Sequence, residues 1–404
     1  MCPAPCRVTL SPPASPQSFG GLFFDLSTAA HGRRTVRLST ILLGDGMKHL
    51  LSAVLALSAT AGLSTFALAI PFSDPRADRN ATLDASGATE SRDSACRAAA
   101  LVSAGGAFPR NPHTLAVRWV GFSNYELVYN GRIILLDAYY DRGSFFPPLG
   151  VKAADIKKAD VILLGHGHVD HMSDAASIGA QTGAMVVGAP VTTEKLMTQP
   201  IPARQIKTVT GRGGELLKFN GFTVEPILGR HGEPDRRVSE VMGSAVDSLL
   251  PKLTPAQQVE EAAIRARGTG GPRVITEGTI AYLITLDDGF RIMYRDSAGV
   301  VTDFEKAAMA RVGRVDLAIT AFRADFLPLL TIPQALEYMR VYKPDVLMPA
   351  HHDAGETVGH DGLWRSTEPV FQALKDENPD LVTMSRGYRE PVCFNTEFNI
   401  SRGR

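Results

Sequence analysis

The side chains best suited to chemistry are concentrated in one run, Gly165-His166-Gly167-His168-Val169-Asp170-His171. Three imidazoles and a carboxylate fall within six residues, and His and Asp are both good ligands for zinc and similar divalent ions. In a loop at a strand end, side chains two apart converge on one ion, and Asp170 and His171 then turn toward a second. At this chain's histidine content, His-x-His-x-Asp-His arises by accident on the order of once in a few thousand such chains. The chemistry of such a loop is metal-assisted attack by water. The sequence carries no Gly-x-Ser-x-Gly elbow, Walker loop or dinucleotide fingerprint that would point elsewhere.

The elements that must position this loop are short. Asp160–Leu164 is a compact apolar strand directly before it. Leu115–Val120 and Tyr125–Tyr129 have strand character. Asn130-Gly131 follows them, a dipeptide favoured in two-residue hairpin turns because both positions accept positive φ. Arg132–Asp137 is the return strand. Further on, Met185–Val187 reads as a buried strand, Leu216–Phe219 with Phe222–Pro226 as a hairpin, and Thr279–Thr285 with Phe290–Tyr294 as another. Asp316–Thr320 and Asp345–Met348 are two more buried strands. Helices are expected near Cys96–Val102, Lys152–Lys158, Thr192–Met197 and Ile332–Val341. Mixed hairpins and helices with no internal repeat predict an α/β protein of stacked sheets and helices. Residues 236–275 interrupt the pattern with a polar helical insertion that ends in Gly268-Thr269-Gly270-Gly271-Pro272. Such a segment is either a lid over a site or surface decoration.

Composition bounds the rest. In 404 residues, 42 Lys+Arg balance 42 Asp+Glu and 44% of side chains are hydrophobic. That excludes a collagen-like, coiled-coil or disordered chain, and the lack of a basic excess argues against nucleic acid as a partner. The N-terminus departs from the average. Residues 1–46 show no sustained periodicity and read as an upstream extension foreign to the fold. Met47-Lys48-His49, the apolar run from Leu50 and the small residues of Ala67-Leu68-Ala69 have the form of a secretory signal peptide over 47–69. The expected location is periplasmic or secreted, with no stable membrane insertion once the peptide is cleaved. The competing reading is a membrane anchor at residues 50–70. Residues 70–112 are then an N-terminal arm and 113–404 the main domain. Without residues 1–69, Cys96 and Cys393 are the two cysteines left. In an exported protein they would be oxidised, so a disulfide between the two ends of the domain is expected over two buried thiols.

The histidine loop resembles the signature of the metallo-β-lactamase-fold hydrolases, over about residues 113–395. The resemblance implies a four-layer αββα sandwich with two divalent metal ions, zinc first and Mn2+ or Fe2+ as alternatives. It implies His166, His168 and His231 for one ion, Asp170, His171 and His351 for the other, and Asp296 between them. Asp137 matches a carboxylate that supports the ligands from behind. His352 is an adjacent rival to His351, which motif position favours. The family normally has Gly before the bridging Asp, whereas Arg295 stands here, making the local pocket bulkier and more basic. Trp119-Val120-Gly121-Phe122-Ser123 and Pro349-Ala350-His351-His352-Asp353 are most similar to the L-ascorbate-6-phosphate lactonase branch. The implied reaction is attack by a metal-bridging hydroxide on a small ester, lactone or phosphoester, with Asp170 orienting the hydroxide and relaying a proton. A β-lactamase or an iron oxygenase on the same fold is the alternative. Arg230, Arg295 and Arg323 lie beside the site segments and offer contacts to an anionic small-molecule substrate. His360 follows the last ligand as a further pocket candidate, and Trp364 reads better as core.

Overall fold

The strands read as unbroken apolar runs because both of their faces are covered. In the computed structural model, which describes residues 93–232, 252–322, 328–353 and 367–397 and the backbone at Thr82–Leu83 and Thr89–Glu90, alternate residues of each strand face opposite layers. Leu115, Val117 and Trp119 point into one core with Ile134, Leu136, Val161 and Leu163. Their neighbours Ala116, Val120, Ile133, Leu135 and Ile162 join a second core with the helices.

In chain order the elements are β1 (Thr82–Leu83), β2 (Thr89–Glu90), β3 (Thr114–Gly121), β4 (Asn124–Tyr129), β5 (Arg132–Leu136) and β6 (Val161–Leu163). Then come α1 (Val169–Met172), α2 (Ala175–Thr182), β7 (Met185–Gly188), α3 (Pro190–Leu196), β8 (Ile206–Thr208), β9 (Leu217–Phe219) and β10 (Phe222–Leu228). The second half holds α4 (Pro255–Arg265), α5 (Pro272–Glu277), β11 (Ile280–Leu286), β12 (Arg291–Arg295), α6 (Asp303–Val312) and β13 (Leu317–Ala321). It closes with α7 (Pro328–Tyr342), β14 (Val346–Ala350), α8 (Thr367–Glu377), β15 (Val382–Thr383) and β16 (Pro391–Asn395).

These strands form a nine-stranded sheet, β2-β1-β16-β3-β4-β5-β6-β7-β8, and a seven-stranded sheet, β15-β14-β13-β12-β11-β10-β9. The largest core lies between them, with Trp119, Tyr125 and Leu127 from one sheet meeting Tyr282, Tyr294 and Ile319 from the other. Helices α1, α2 and α3 cover the outer face of the first sheet through Met172, Ile178 and Leu196. Helices α6, α7 and α8 cover the second through Met309, Tyr338, Phe371 and Leu374. This is the expected αββα sandwich. At the β4–β5 turn, Asn130 and Gly131 take φ of 46° and 72°, as a primed hairpin turn requires.

Two expectations need correction. Cys96–Val102 and Lys152–Lys158 are not helices, and each region holds a single 3-10 turn, at Ser94–Cys96 and Ala153–Asp155. Residues 93–112, expected as part of an N-terminal arm, are stitched to the first sheet. Glu126 accepts hydrogen bonds from the Val102 and Ser103 amides at 2.9 and 2.8 Å and pairs with the fully buried Arg118 across β3 and β4. The Arg118 guanidinium in turn reaches the Ala95 carbonyl. Next to it, Cys96 and Cys393 form a disulfide that spans 297 residues. Residues 1–81, which include the upstream extension and the signal-peptide segment, lie outside the described residues. Among the described residues no helix is long and apolar enough to cross a membrane.

Closing so long a loop removes unfolded-state entropy worth up to about 5 kcal/mol on the chain-entropy account. The double variant C96S/C393S should therefore unfold at a clearly lower denaturant concentration than the oxidised protein. An unchanged midpoint would show that the buried Arg118–Glu126 seam holds this edge unaided.

Candidate metal centre

Five strand ends meet at one rim of the sandwich. Asp137 follows β5, the 165–171 loop follows β6, His231 follows β10, Asp296 follows β12 and His351 follows β14. Parallel pairing of β5 with β6 and of β12, β13 and β14 with one another brings these C-terminal ends to the same side. His168 opens the single turn α1 in extended conformation, and the turn presents Asp170 and His171 on its inner side.

Three groups of ligand atoms result, each within 4.8 Å of one another: His166 with His168 and His231, His166 with His171 and Asp296, and Asp170 with His171 and His351. In the first, the ring centroids are 4.5, 4.6 and 4.6 Å apart with planes at 75–77°, a propeller whose nitrogens converge. Asp296, in the second group, links the first and third: its Oδ2 is 2.5 Å from His166 Nδ1 and 3.2 Å from His171 Nδ1. Its Oδ1 is buried without a hydrogen-bond partner. An orphaned buried carboxylate oxygen among imidazoles is what a cation site requires, so the residues fit the two ions the resemblance implies. Asp170 Oδ2 lies 2.9 Å from His351 Nε2 and 3.3 Å from His171 Nε2.

The electrostatics favour ligation. Burial lowers His166 to about 4, His168 to about 3 and His231 to about 4, so all three imidazoles are neutral at pH 7 and need shed no proton to bind a cation. Burial also opposes ionisation of Asp170 and Asp296. The neighbouring histidines outweigh it and hold both carboxyls below the usual carboxylate range. His171 is pushed up because Asp170, Asp137 and Asp296 overcome its burial.

Asp137 braces this arrangement from behind. Its Oδ1 accepts the Gly165 amide at 2.9 Å, and its Oδ2 lies 2.7 Å from His171 Nδ1, which leaves the His171 Nε2 edge facing Asp170. The Tyr294 hydroxyl reaches the same Oδ2 at 2.6 Å and the Ser123 carbonyl at 3.0 Å. Burial and Asp296 raise Asp137 to about 6. Gly165 is obligatory here, because a Cβ would lie 1.9 Å from Asp296 Cγ.

The β3–β4 turn ties the second sheet's ligands to the first sheet. The His351 amide donates to the Phe122 carbonyl at 2.8 Å, and Asp353 Oδ1 accepts the Phe122 amide at 2.7 Å. Ser123 Oγ donates to the Asp296 carbonyl at 3.0 Å. Asp353 is itself buried against Arg142 at 2.9 Å and the Tyr388 hydroxyl at 2.6 Å. His352 belongs elsewhere: it is buried and stacked on Trp119 at 4.0 Å, with its Nε2 toward Ser385. His351 is the member of the pair that reaches the cluster.

Arg295 is not a substrate contact. On β12, Met293 and Arg295 face the outer helix layer while Tyr294 faces the inter-sheet core. The fully buried guanidinium pairs with Glu305 of α6 at 3.0 Å and donates to the Arg230 and Val300 carbonyls. Arg295 is accommodated before Asp296 because it points away from the ligand cluster and toward its own carboxylate, Glu305. Arg230 is exposed beside His231. Arg323, His360 and Trp364 lie outside the described residues. Missing from the sequence reading are Asp174, whose buried carboxylate accepts the Tyr140 and Asp141 amides at 2.7 and 2.9 Å, and the roles of Arg142, Asp353, Ser123 and Tyr294. Asp174 was within reach as the next carboxylate after the histidine loop. The others are set by cross-sheet contacts that no local pattern records.

A family model described as "Beta-lactamase superfamily domain" matches residues 132–249, the stretch that carries the histidine loop and His231. A UPF0173 metal-dependent hydrolase of Pelotomaculum thermopropionicum is 24% identical over 248 residues, 61% of this chain and 88% of that protein. One of Polynucleobacter asymbioticus is 22% identical over 273 residues, 67% of this chain and 83% of that protein. Among solved structures, Igni18, a metallo hydrolase of Ignicoccus hospitalis, is 15% identical, with a TM-score of 0.47 over 70% of this chain and 98% of that one. Residues 132–249 thus match a β-lactamase superfamily domain, and the chain is similar to metal-dependent hydrolases of that superfamily.

Two outcomes test this description of the site. Gly165→Ala should displace the Asp296 carboxylate and abolish stable zinc retention after gel filtration; a variant that keeps its full metal content would contradict the packing. Arg295→Met strands Glu305 in the interior at a cost of about 3–5 kcal/mol, read as a large drop in Tm. A variant of native Tm and raised KM would restore Arg295 to the substrate site.

Proposed function

We propose that the protein is an exported dinuclear metal-dependent hydrolase of small carboxylic esters or lactones. The observation that carries the dinuclear reading is the sharing of ligands: His166 and His171 each belong to two of the three groups, and Asp296 touches both. His166, His168 and His231 would hold one ion, Asp170, His171 and His351 the other, and Asp296 would serve both. When bound, two such ions polarise the attacked oxygen and bring water to ionisation near neutral pH.

The chain's own groups supply the rest. Asp170 is the carboxylate of the cluster that is 23% exposed, while Asp137 and Asp296 are fully buried. It therefore faces the mouth, where it orients the attacking water and carries its proton toward the leaving group. Tyr294 and Gly165 keep Asp137 on the His171 ring, so that imidazole cannot rotate as charge shifts in front of it.

The surroundings favour a neutral substrate over a phosphoester. Phe122, Tyr139 and Ile264, with Val169 and Phe146 packed on them, form an apolar wall, and Phe122 meets His351 edge-on at 5.3 Å. Arg142, Arg267 and Arg295 are each paired with a carboxylate, Asp353, Asp174 and Glu305. The motifs that resemble the lactonase branch, around Trp119–Ser123 and Pro349–Asp353, support the same choice. Export accords with the Cys96–Cys393 disulfide, since oxidising compartments preserve such bonds.

Purified protein should contain two zinc-like ions per chain and hydrolyse aryl esters and lactones faster than phosphodiesters or β-lactams, with all activity lost to a chelator. Asp170→Asn should lower kcat by about 100-fold or more. Iron with oxygen-dependent oxidation, or inactivity across the whole panel, would sink the hydrolase reading. Secreted protein should begin near Ile70 on N-terminal sequencing, and an intact Met1 would overturn the export argument.

A further inference from the structure

The described part of the insertion, residues 252–275, does not merely border the metal centre. Its residues Arg267, Gly268 and Thr269 lie directly on the ligand loop, immediately after α4. The Thr269 amide donates to the Gly167 carbonyl, between two histidine ligands, at 2.7 Å. Gly268 presses on the backbone of Val169, so closely that a Cβ would come within 2.6 Å of the Val169 N and Cα atoms. Arg267 pairs with the buried Asp174 at 2.8 Å and reaches the Asp141 carbonyl at 3.5 Å.

Asp174 is the far anchor of the loop. The Ala138 amide donates to the His171 carbonyl at 2.7 Å, and the Asp174 amide donates to the Ala138 carbonyl at 2.9 Å. With its carboxylate on the Tyr140 and Asp141 amides, Asp174 fastens the far end of α1 to the strand exit that carries Asp137. The strap is braced in turn. Gln199 donates to the Arg267 carbonyl at 2.9 Å, and Ile264 of α4 is buried against Phe122 and Tyr139. The strap thus holds the ligand loop from the solvent side while Asp137 and Tyr294 hold it from the core side.

We propose that Arg267, Gly268 and Thr269 are positioning residues that preset the His166–His171 loop for metal, with the Arg267–Asp174 pair as the main clamp. The proposal rests on the ligand assignment above. It predicts that metal affinity depends on residues about a hundred positions from the histidine loop that touch no metal ligand side chain.

The test is Zn2+ affinity of the full chain, stripped of metal, by competition with a chromophoric chelator. Arg267→Ala and Gly268→Ala should each weaken Zn2+ binding about 10–100-fold, and Arg267→Lys should recover part of the loss. Arg267→Ala should also lower the metal-free Tm, because it strands the buried Asp174, so Zn2+ affinity is compared at a temperature where each metal-free variant is still folded. Arg273→Ala serves as the control, because Arg273 is in the same insertion but pairs with the exposed Glu194 and Glu277; its affinity should be unchanged. Unchanged affinity in both Arg267→Ala and Gly268→Ala would overturn the proposal, as would an equal loss in Arg273→Ala. If Arg267→Ala does not fold, Gly268→Ala and Arg267→Lys decide. Intact affinity differences without turnover of any substrate would support the positioning role and remove the hydrolase reading instead.

Discussion

Three carboxylates, Asp137, Asp170 and Asp296, meet at the ring of His171, and two of them are wholly removed from water. Burying anionic groups this close is costly unless cations and fixed donors face them. Much of the rim is built around that requirement. Gly165 gives up its side chain so that Asp296 fits, and Tyr294 and the Gly165 amide satisfy Asp137. The remaining demand, the unpartnered Asp296 Oδ1, is one that a bound cation would meet. A centre assembled in this way is preorganised, because its oxygens and nitrogens are held apart from solvent before any ion arrives.

The same economy governs the arginines. Arg118, Arg142, Arg267 and Arg295 each lie against a buried carboxylate, respectively Glu126, Asp353, Asp174 and Glu305. Each pair ties segments that local secondary structure leaves loose: the arm to the first sheet, the segment after β5 to the β14 exit, the insertion to the ligand loop, and β12 to α6. Breaking one partner of such a pair is far more damaging than replacing both. These four arginines, among the described residues, therefore serve the structure of the rim.

This explains which parts of the molecule were legible in its sequence. Strands buried on both faces leave short apolar runs bounded by turn residues, so eleven of the sixteen strands are legible and Asn130-Gly131 fixes one hairpin, while β1, β2, β8, β15 and β16 are missed. The 165–171 loop was legible because four ligands are local. His231, Asp296 and His351 are separated by 55 or more residues and became candidates only through family resemblance. Arg295 was misassigned because proximity to Asp296 in sequence says nothing of direction; strand alternation turns it to the opposite face, where Glu305 waits on α6. The attachment of residues 93–112 to the first sheet is hidden from the sequence for a related reason. Arg118 and Glu126 look like surface charges on strands, yet they are fully buried under residues 93–103.

The choice between His351 and His352 shows how the two levels combine. Composition offers two equal imidazoles at the end of β14. The left-handed backbone at His351, with φ of 60°, turns that side chain out of the strand's alternation toward Asp170, while its amide bonds the Phe122 carbonyl. His352 then falls back toward Trp119 and becomes core. Non-glycine residues adopt such a conformation when the surroundings over-determine it, and here both neighbours of the bend are fixed, Asp353 by Arg142 and Tyr388 and Ala350 by the Phe322 amide. Which of the two imidazoles reaches the cluster is thus set by a backbone bend held in place by contacts across the assembled sandwich.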